Sequence, residues 1–254
     1  MANAYRAVMF DLSGVLYVGD AAIPGAVDVI RQLQTCPVEL RFVTNTSRKT
    51  RAQLLADLAT FGFDIDPDTL FTAPIAAKAW VEQQGLRPYC LVHRNILSDF
   101  ESLAQDDPNC VILGDAADDL NYENLNQAFR ICLEGGKLVA IGDNRFFKAK
   151  DQLFLDAGPF VHALEYASGT KAIIMGKPSN AFFEQVLSST SATAQATLMI
   201  GDDVFGDIEG ALNAGMDACL VRTGKYREND ERKLDRSHYC FDSVVEAIGE
   251  LVFK

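Results

Sequence analysis

The chain has 254 residues, 48% hydrophobic and 23% charged, with 35 acidic against 23 basic side chains and a formal net charge of -12. That composition excludes a disordered or fibrous chain, and the charge excludes a general nucleic-acid binder, whose affinity for a phosphate backbone depends on a basic face. At roughly 100 to 200 residues per domain, the length predicts one large domain or a core carrying a smaller insertion.

Residues 7–10 read as a short buried strand. Pro24 then opens a helix that places Ala26, Ile30 and Leu33 on one face. Residues 40–43 form a second strand, after which Ser47 can cap a helix carrying Leu54, Leu58 and Phe61 before Gly62 stops it. Strands over 89–92, 110–113 and 138–141, with a helix over 122–134, give residues 75–171 an α/β pattern of their own, punctuated by turns at Asp106-Asp107-Pro108 and Gly135-Gly136. Residues 198–200 and 219–222 are two further strands, with a helix over 207–214 between them. Alternating strands and helices predict a Rossmann-like, doubly wound parallel sheet. Its core is built from residues 1–74 and 172–254, with 75–171 as an inserted α/β domain.

No apolar stretch approaches the roughly 20 residues that span a bilayer. The N-terminus lacks the basic and apolar regions of a secretory signal, so a cytoplasmic protein with no membrane partner is expected. Cys36, Cys90, Cys110, Cys132, Cys219 and Cys240 are too widely spaced for zinc or redox motifs and read as reduced thiols. His93, His162 and His238 are equally scattered.

Ligands of open α/β sheets bind beyond the carboxyl ends of the strands, and those ends are polar here. The first runs into Asp11-Leu12-Ser13-Gly14-Val15 and the second into Thr44-Asn45-Thr46-Ser47. A later one ends in Gly201-Asp202-Asp203, with Asp207 beyond, and Gly176-Lys177 precedes a helix that Ser179 can cap. Singly, each has a plain structural reading as a turn, a helix cap or a solvated lysine. Together, carboxylates converging on one crevice repel unless a hard dication neutralises them, and Mg²⁺ takes one or two carboxylates plus phosphate oxygens. An aspartate can also act as a nucleophile and form an acyl phosphate, while a lysine offsets charge on phosphoryl oxygens. Two other phosphate motifs fail: Lys171 and Pro178 break a P-loop, and no Gly-X-Gly-X-X-Gly follows the first strand.

Asp11-Leu12-Ser13-Gly14-Val15-Leu16, Thr44-Asn45, Gly176-Lys177-Pro178 and Gly201-Asp202-Asp203 through Asp207 resemble, in order, the four motifs of the haloacid dehalogenase superfamily. The large insertion between the second and third resembles a C2-type α/β cap. Arg145-Phe146-Phe147-Lys148, Gly158-Pro159-Phe160-Val161 and Ala163-Leu164-Glu165-Tyr166-Ala167 narrow the resemblance to one branch of that superfamily.

The resemblance implies a Mg²⁺-dependent phosphohydrolase acting on small phosphorylated compounds through an aspartyl-phosphate on Asp11. It implies that Asp11, the Ser13 carbonyl and Asp202 ligate Mg²⁺, with Asp203 or Asp207 in support. Thr44 and Asn45 hold phosphate oxygens, Lys177 neutralises the transferred group, and Gly14 turns the chain beneath it. Arg145, on a turn after a strand of the insertion, is a further substrate-facing candidate that also reads as an exposed polar turn. Pairing of two chains through the cap is an open option.

Ser13 departs from the family pattern. Most phosphatases of the superfamily place a second aspartate there, to protonate the leaving oxygen and later activate water. A hydroxyl does this poorly, and general acid-base help is worth about 10² to 10⁴ in rate. Leaving groups that need little enzymatic protonation, such as pyrophosphate or a P–N bonded amine, suffer least. The alternative is a catalytically weak phosphate-binding regulatory protein of the same fold; a dehalogenase would leave Asp202 and Asp203 without a purpose.

Overall fold

The structure is a computed structural model that describes residues 5–149 and 152–253. It is a mixed α/β protein with two parallel sheets, and the chain divides into two compact units. One comprises residues through Thr44, Ala52–Phe71 and Phe183 onward; the other comprises Asn45–Arg51 and Thr72–Phe182.

The first unit holds a six-stranded sheet in the spatial order Tyr239–Phe241, Asp217–Val221, Thr197–Gly201, Ala7–Asp11, Glu39–Thr44 and Leu70–Thr72. Ala7–Asp11 pairs in parallel with Thr197–Gly201 on one side and Glu39–Thr44 on the other. Both it and Thr197–Gly201 are buried at every residue, as central strands covered on two faces must be. Successive strands run outward from Ala7–Asp11 in opposite directions, so the topological switch lies between it and Thr197–Gly201. That switch is where such sheets open a crevice.

Helix Ala26–Leu33 turns Ala26, Val29, Ile30 and Leu33 inward, following the periodicity of the sequence. Helix Arg51–Thr60 buries Leu54 and Leu58 but starts well after Ser47. Its opening amide, Arg51 N–H, donates to Asp99 Oδ2 at 3.3 Å, which serves a helix end in place of the serine. Helix Val244–Leu251 is capped by Ser243, whose Oγ accepts from Glu246 N–H at 3.4 Å. Phe10 and Phe42 stack across neighbouring strands with ring centroids 5.7 Å apart, at the centre of this core.

The second unit has a four-stranded parallel sheet in the order Ala172–Ile174, Lys137–Ala140, Cys110–Leu113 and Pro88–Leu91. Helices Tyr122–Leu133 and Gly158–Ser168 bury Ala128, Ile131, Val161 and Leu164 with Val111, Leu113, Leu138 and Ala140 of the sheet. Strands Phe146–Ala149 and Gln152–Leu155 pair antiparallel. No described helix is long and apolar enough to cross a membrane.

Candidate active site

Because neighbouring strands of the first sheet are parallel, their carboxyl ends fall on one edge. Phe10 lies opposite Ile200 and Asp11 opposite Val43, so Asp11, Thr44 and the Gly201-Asp202 step reach that edge in register. Asp11 and Thr44 are each 7% exposed, and Asp202 and Asp207 1%. One carboxylate oxygen from each of Asp11, Asp202 and Asp207 lies within 4.8 Å of the other two. Two like charges at such a spacing repel by about 3 kcal/mol at an effective dielectric of 20, so three demand a counter-charge. The donor set is all oxygen, anionic and buried, which fits a hard divalent cation and fits neither a soft metal nor an organic cofactor.

The local backbone makes room for this trio. Gly14 has φ +97°, and a Cβ there would stand 1.9 Å from Asp202 Oδ2. A Cβ at Gly224 would lie 2.1 Å from the same oxygen and 2.4 Å from Gly14 Cα. At Gly201 a Cβ would meet Asp207 Cβ at 2.2 Å. Only glycine permits these approaches. Thr223 Oγ1 donates to the Gly14 carbonyl, joining the two glycine turns. Ser13, between Asp11 and Gly14, is exposed and bridges in the backbone to Tyr17.

Asp203 and Asp207, equivalent candidates in the sequence, have different surroundings. Asp207 is buried, and its Oδ2 accepts from Asp203 N–H at 3.1 Å. It sits in a π-helical turn, Val204–Glu209, which continues into the helix Gly210–Asn213; the sequence reading began a regular helix at 207. Asp203 caps that turn: its Oδ1 accepts from Phe205 N–H at 3.1 Å and Gly206 N–H at 2.9 Å. Its Oδ2 faces Lys225 Nζ at 3.2 Å. Burial opposes ionisation of Asp203, yet the Gly206 N–H, the Lys225 ammonium and the Phe205 N–H outweigh it and hold the carboxyl below its usual range.

Lys225 and the glycine before it escaped the sequence reading. Lys225 N–H donates to Asp202 Oδ2 at 2.6 Å, and partial desolvation of its ammonium is outweighed by the charges of Asp203, Asp202 and Asp207, which raise its pKa. The signal was available: Thr223-Gly224-Lys225 follows the strand Asp217–Val221, neighbour of Thr197–Gly201, and the rule of inspecting every strand end reaches it.

Asn45, Arg145 and Lys177 belong to the second unit. Asn45 Nδ2 donates to the Lys177 carbonyl at 2.9 Å, and Lys177 N–H returns a bond to Asn45 Oδ1 at 2.8 Å. The Asn45 side chain thus latches the Gly176-Lys177 segment. Arg145 is exposed, with its carbonyl accepting from Asp156 N–H. Nearby, a cavity of about 310 Å³ is lined by Asn45, Ser47, Arg48, Asp115, Asn144 and Asp156, with Arg48 paired to Asp115.

A profile of haloacid dehalogenase-like hydrolases matches residues 8–104, and a second, HAD-hydrolase-like profile matches residues 174–247. The chain is 47% identical over 237 residues to haloacid dehalogenase-like hydrolase domain-containing protein 2 of Bos taurus, covering 93% of this chain and 92% of that one. This chain belongs to the haloacid dehalogenase-like hydrolases. It is also 40% identical over 254 residues to the phospholysine phosphohistidine inorganic pyrophosphate phosphatase of Homo sapiens, covering 97% and 94% of the two chains. A hypothetical protein from Pyrococcus horikoshii OT3 shares the fold with a TM-score of 0.85 at 25% identity, covering 96% and 99%. The p-nitrophenyl phosphatase of Archaeoglobus fulgidus does so with a TM-score of 0.85 at 23% identity, covering 97% and 99%. The family resemblance and the narrower branch drawn from the sequence agree with these findings, and within the family the chain is a phosphatase-type hydrolase.

Proposed function

We propose that the chain is a Mg²⁺-dependent phosphohydrolase in which Asp11 attacks the substrate phosphorus and becomes a transient aspartyl-phosphate. The observation that carries this reading is the buried grouping of Asp11, Asp202 and Asp207 at the topological switch of the parallel sheet. Asp202, Asp207, one oxygen of Asp11 and the Ser13 carbonyl would hold the cation; when bound, it neutralises the carboxylates and draws charge from the phosphoryl oxygens. The other oxygen of the buried Asp11 carboxylate would be the attacking atom. By motif position, Thr44 and Asn45 orient the phosphate oxygens and Lys177 balances the charge on the transferred group. Residues 75–171 serve as the cap, with Arg145 among its substrate-facing candidates.

Ser13 narrows the substrates. With no carboxyl there to protonate the leaving atom, pyrophosphate and P–N bonded compounds are favoured over alkyl phosphate esters. The human relative's name includes phospholysine, phosphohistidine and inorganic pyrophosphate, and that relative covers nearly the whole chain. With Mg²⁺ and an activated aryl phosphate, steady phosphate release abolished by EDTA and by Asp11→Asn is expected. Full metal-dependent activity in Asp11→Asn refutes the nucleophile. The absence of turnover in the wild type favours the second reading, a phosphate-binding regulatory protein, for which the hydroxyl at position 13 is the supporting feature.

A further inference from the structure

We infer that the Lys225 ammonium offsets the Asp203 carboxylate, so that each tunes the cation affinity of the acidic trio in the opposite direction, while Asp203 itself stays outside the ligand set. The inference rests on the metal reading above. Three observations support it. First, Asp203 is engaged elsewhere: two backbone amides hold Oδ1 and the ammonium pairs with Oδ2, so its carboxylate serves as a cap. Second, Lys225 touches the trio's turn twice, through its ammonium on Asp203 and its own N–H on Asp202 Oδ2 at 2.6 Å. The main-chain donor is kept by any substitution other than proline, so positioning of Asp202 and charge at position 225 are separable. Third, Gly224, immediately before it, lies against both Asp202 and Gly14, which fixes this loop at the acidic pocket.

The consequence has a sign. Removing the ammonium leaves Asp203 held by its two amides but uncompensated, so the pocket becomes one charge more negative and binds a dication more tightly. Removing the Asp203 charge leaves an uncompensated ammonium and weakens binding. Removing both restores the balance. If the pair served only to brace the loop, each of these changes would loosen the pocket and weaken binding. Lys225 is exposed, so solvent screens the effect to roughly five- to twenty-fold in Kd at low salt, shrinking as salt is added.

The test is Mg²⁺ titration calorimetry on the full chain in the wild type and in Lys225→Met, Lys225→Arg, Asp203→Asn, the Asp203→Asn/Lys225→Met double variant and Asp202→Asn. Asparagine at 203 keeps an oxygen for the two amides, and circular dichroism verifies folding. The expected result is a lower Kd for Lys225→Met, a higher Kd for Asp203→Asn, and near wild-type values for Lys225→Arg and the double variant. A Kd for Lys225→Met equal to or above the wild-type value overturns the charge role while leaving the metal reading intact. If the wild type binds no Mg²⁺, or Asp202→Asn binds as well as the wild type, the metal reading falls and this inference falls with it.

Discussion

A methyl group at position 14 would collide with Asp202 Oδ2 on a backbone whose φ of +97° already disfavours any L side chain. Gly14→Ala therefore carries two costs, a strained conformation worth about 1–3 kcal/mol and a displaced carboxylate. It is expected to lower urea stability by that amount and to cut phosphatase activity at least a hundredfold, whereas Gly19→Ala, with φ +58° but no atom within 4 Å, shows only the strain. One position earlier, Ser13 points to chemistry instead of packing. Ser13→Asp supplies the missing acid-base group and is expected to raise ester hydrolysis by about 10² or more while leaving phosphoramidate hydrolysis nearly unchanged. An equal gain on both substrate classes, measured as kcat/KM, refutes the leaving-group explanation.

At the scale of strands and helices, what the sequence disclosed was set by how locally each feature is encoded. Asp11, Asp202 and Thr44 were legible because a parallel sheet puts strand ends on one edge, and short apolar runs ending in polar residues mark those ends. The different surroundings of Asp203 and Asp207 were not legible, since the partner of Asp203, Lys225, lies twenty-two residues further along. The start of helix Arg51–Thr60 was misplaced for a similar reason: its first amide is met by Asp99, from a distant segment. The antiparallel pair Phe146–Ala149 and Gln152–Leu155 lies where the sequence offers little hairpin signal.

Strand Glu39–Thr44 also has a titrating element. Glu39 is held below its usual range by the Ser191 hydroxyl and then the Ser191 N–H, at 2.5 and 2.9 Å. Its folded-state pKa is depressed, so the stability it adds is present above the ordinary glutamate value and is lost as pH falls through the depressed one. Glu39→Gln, which resembles the protonated form, is expected to flatten that part of the acid limb of a stability–pH profile, with a small loss of stability at neutral pH and little change below the depressed pKa; solvent screening of this half-buried group keeps the effect modest. Within the same sheet, Phe42→Ala removes a ring stacked on Phe10 and is expected to cost about 3–5 kcal/mol in urea unfolding.

Across the whole molecule, the six cysteines are free, as their spacing suggested. Burial pushes the Cys90 and Cys110 thiols up to about 12 and Cys132 up to about 11, and raises Cys219 as well. Thiolate is the reactive form, so the fully enclosed Cys110, Cys132 and Cys219 are expected to resist iodoacetamide in the native protein and to react in guanidinium, read by mass spectrometry. Rapid native alkylation at any of the three contradicts their burial.

Ala7 is paired with Thr197, so the strand Ala7–Asp11 leaves the ribosome some 190 residues ahead of its partner on the switch side. At about 5–20 residues per second that wait lasts roughly ten to forty seconds, during which a strand of wholly apolar residues up to Asp11 offers a bare edge. Translation order therefore keeps Asp11 waiting for Asp202 and Asp207, and arrested nascent chains ending before Thr197 are expected to be captured by holding chaperones, whereas the released chain is not.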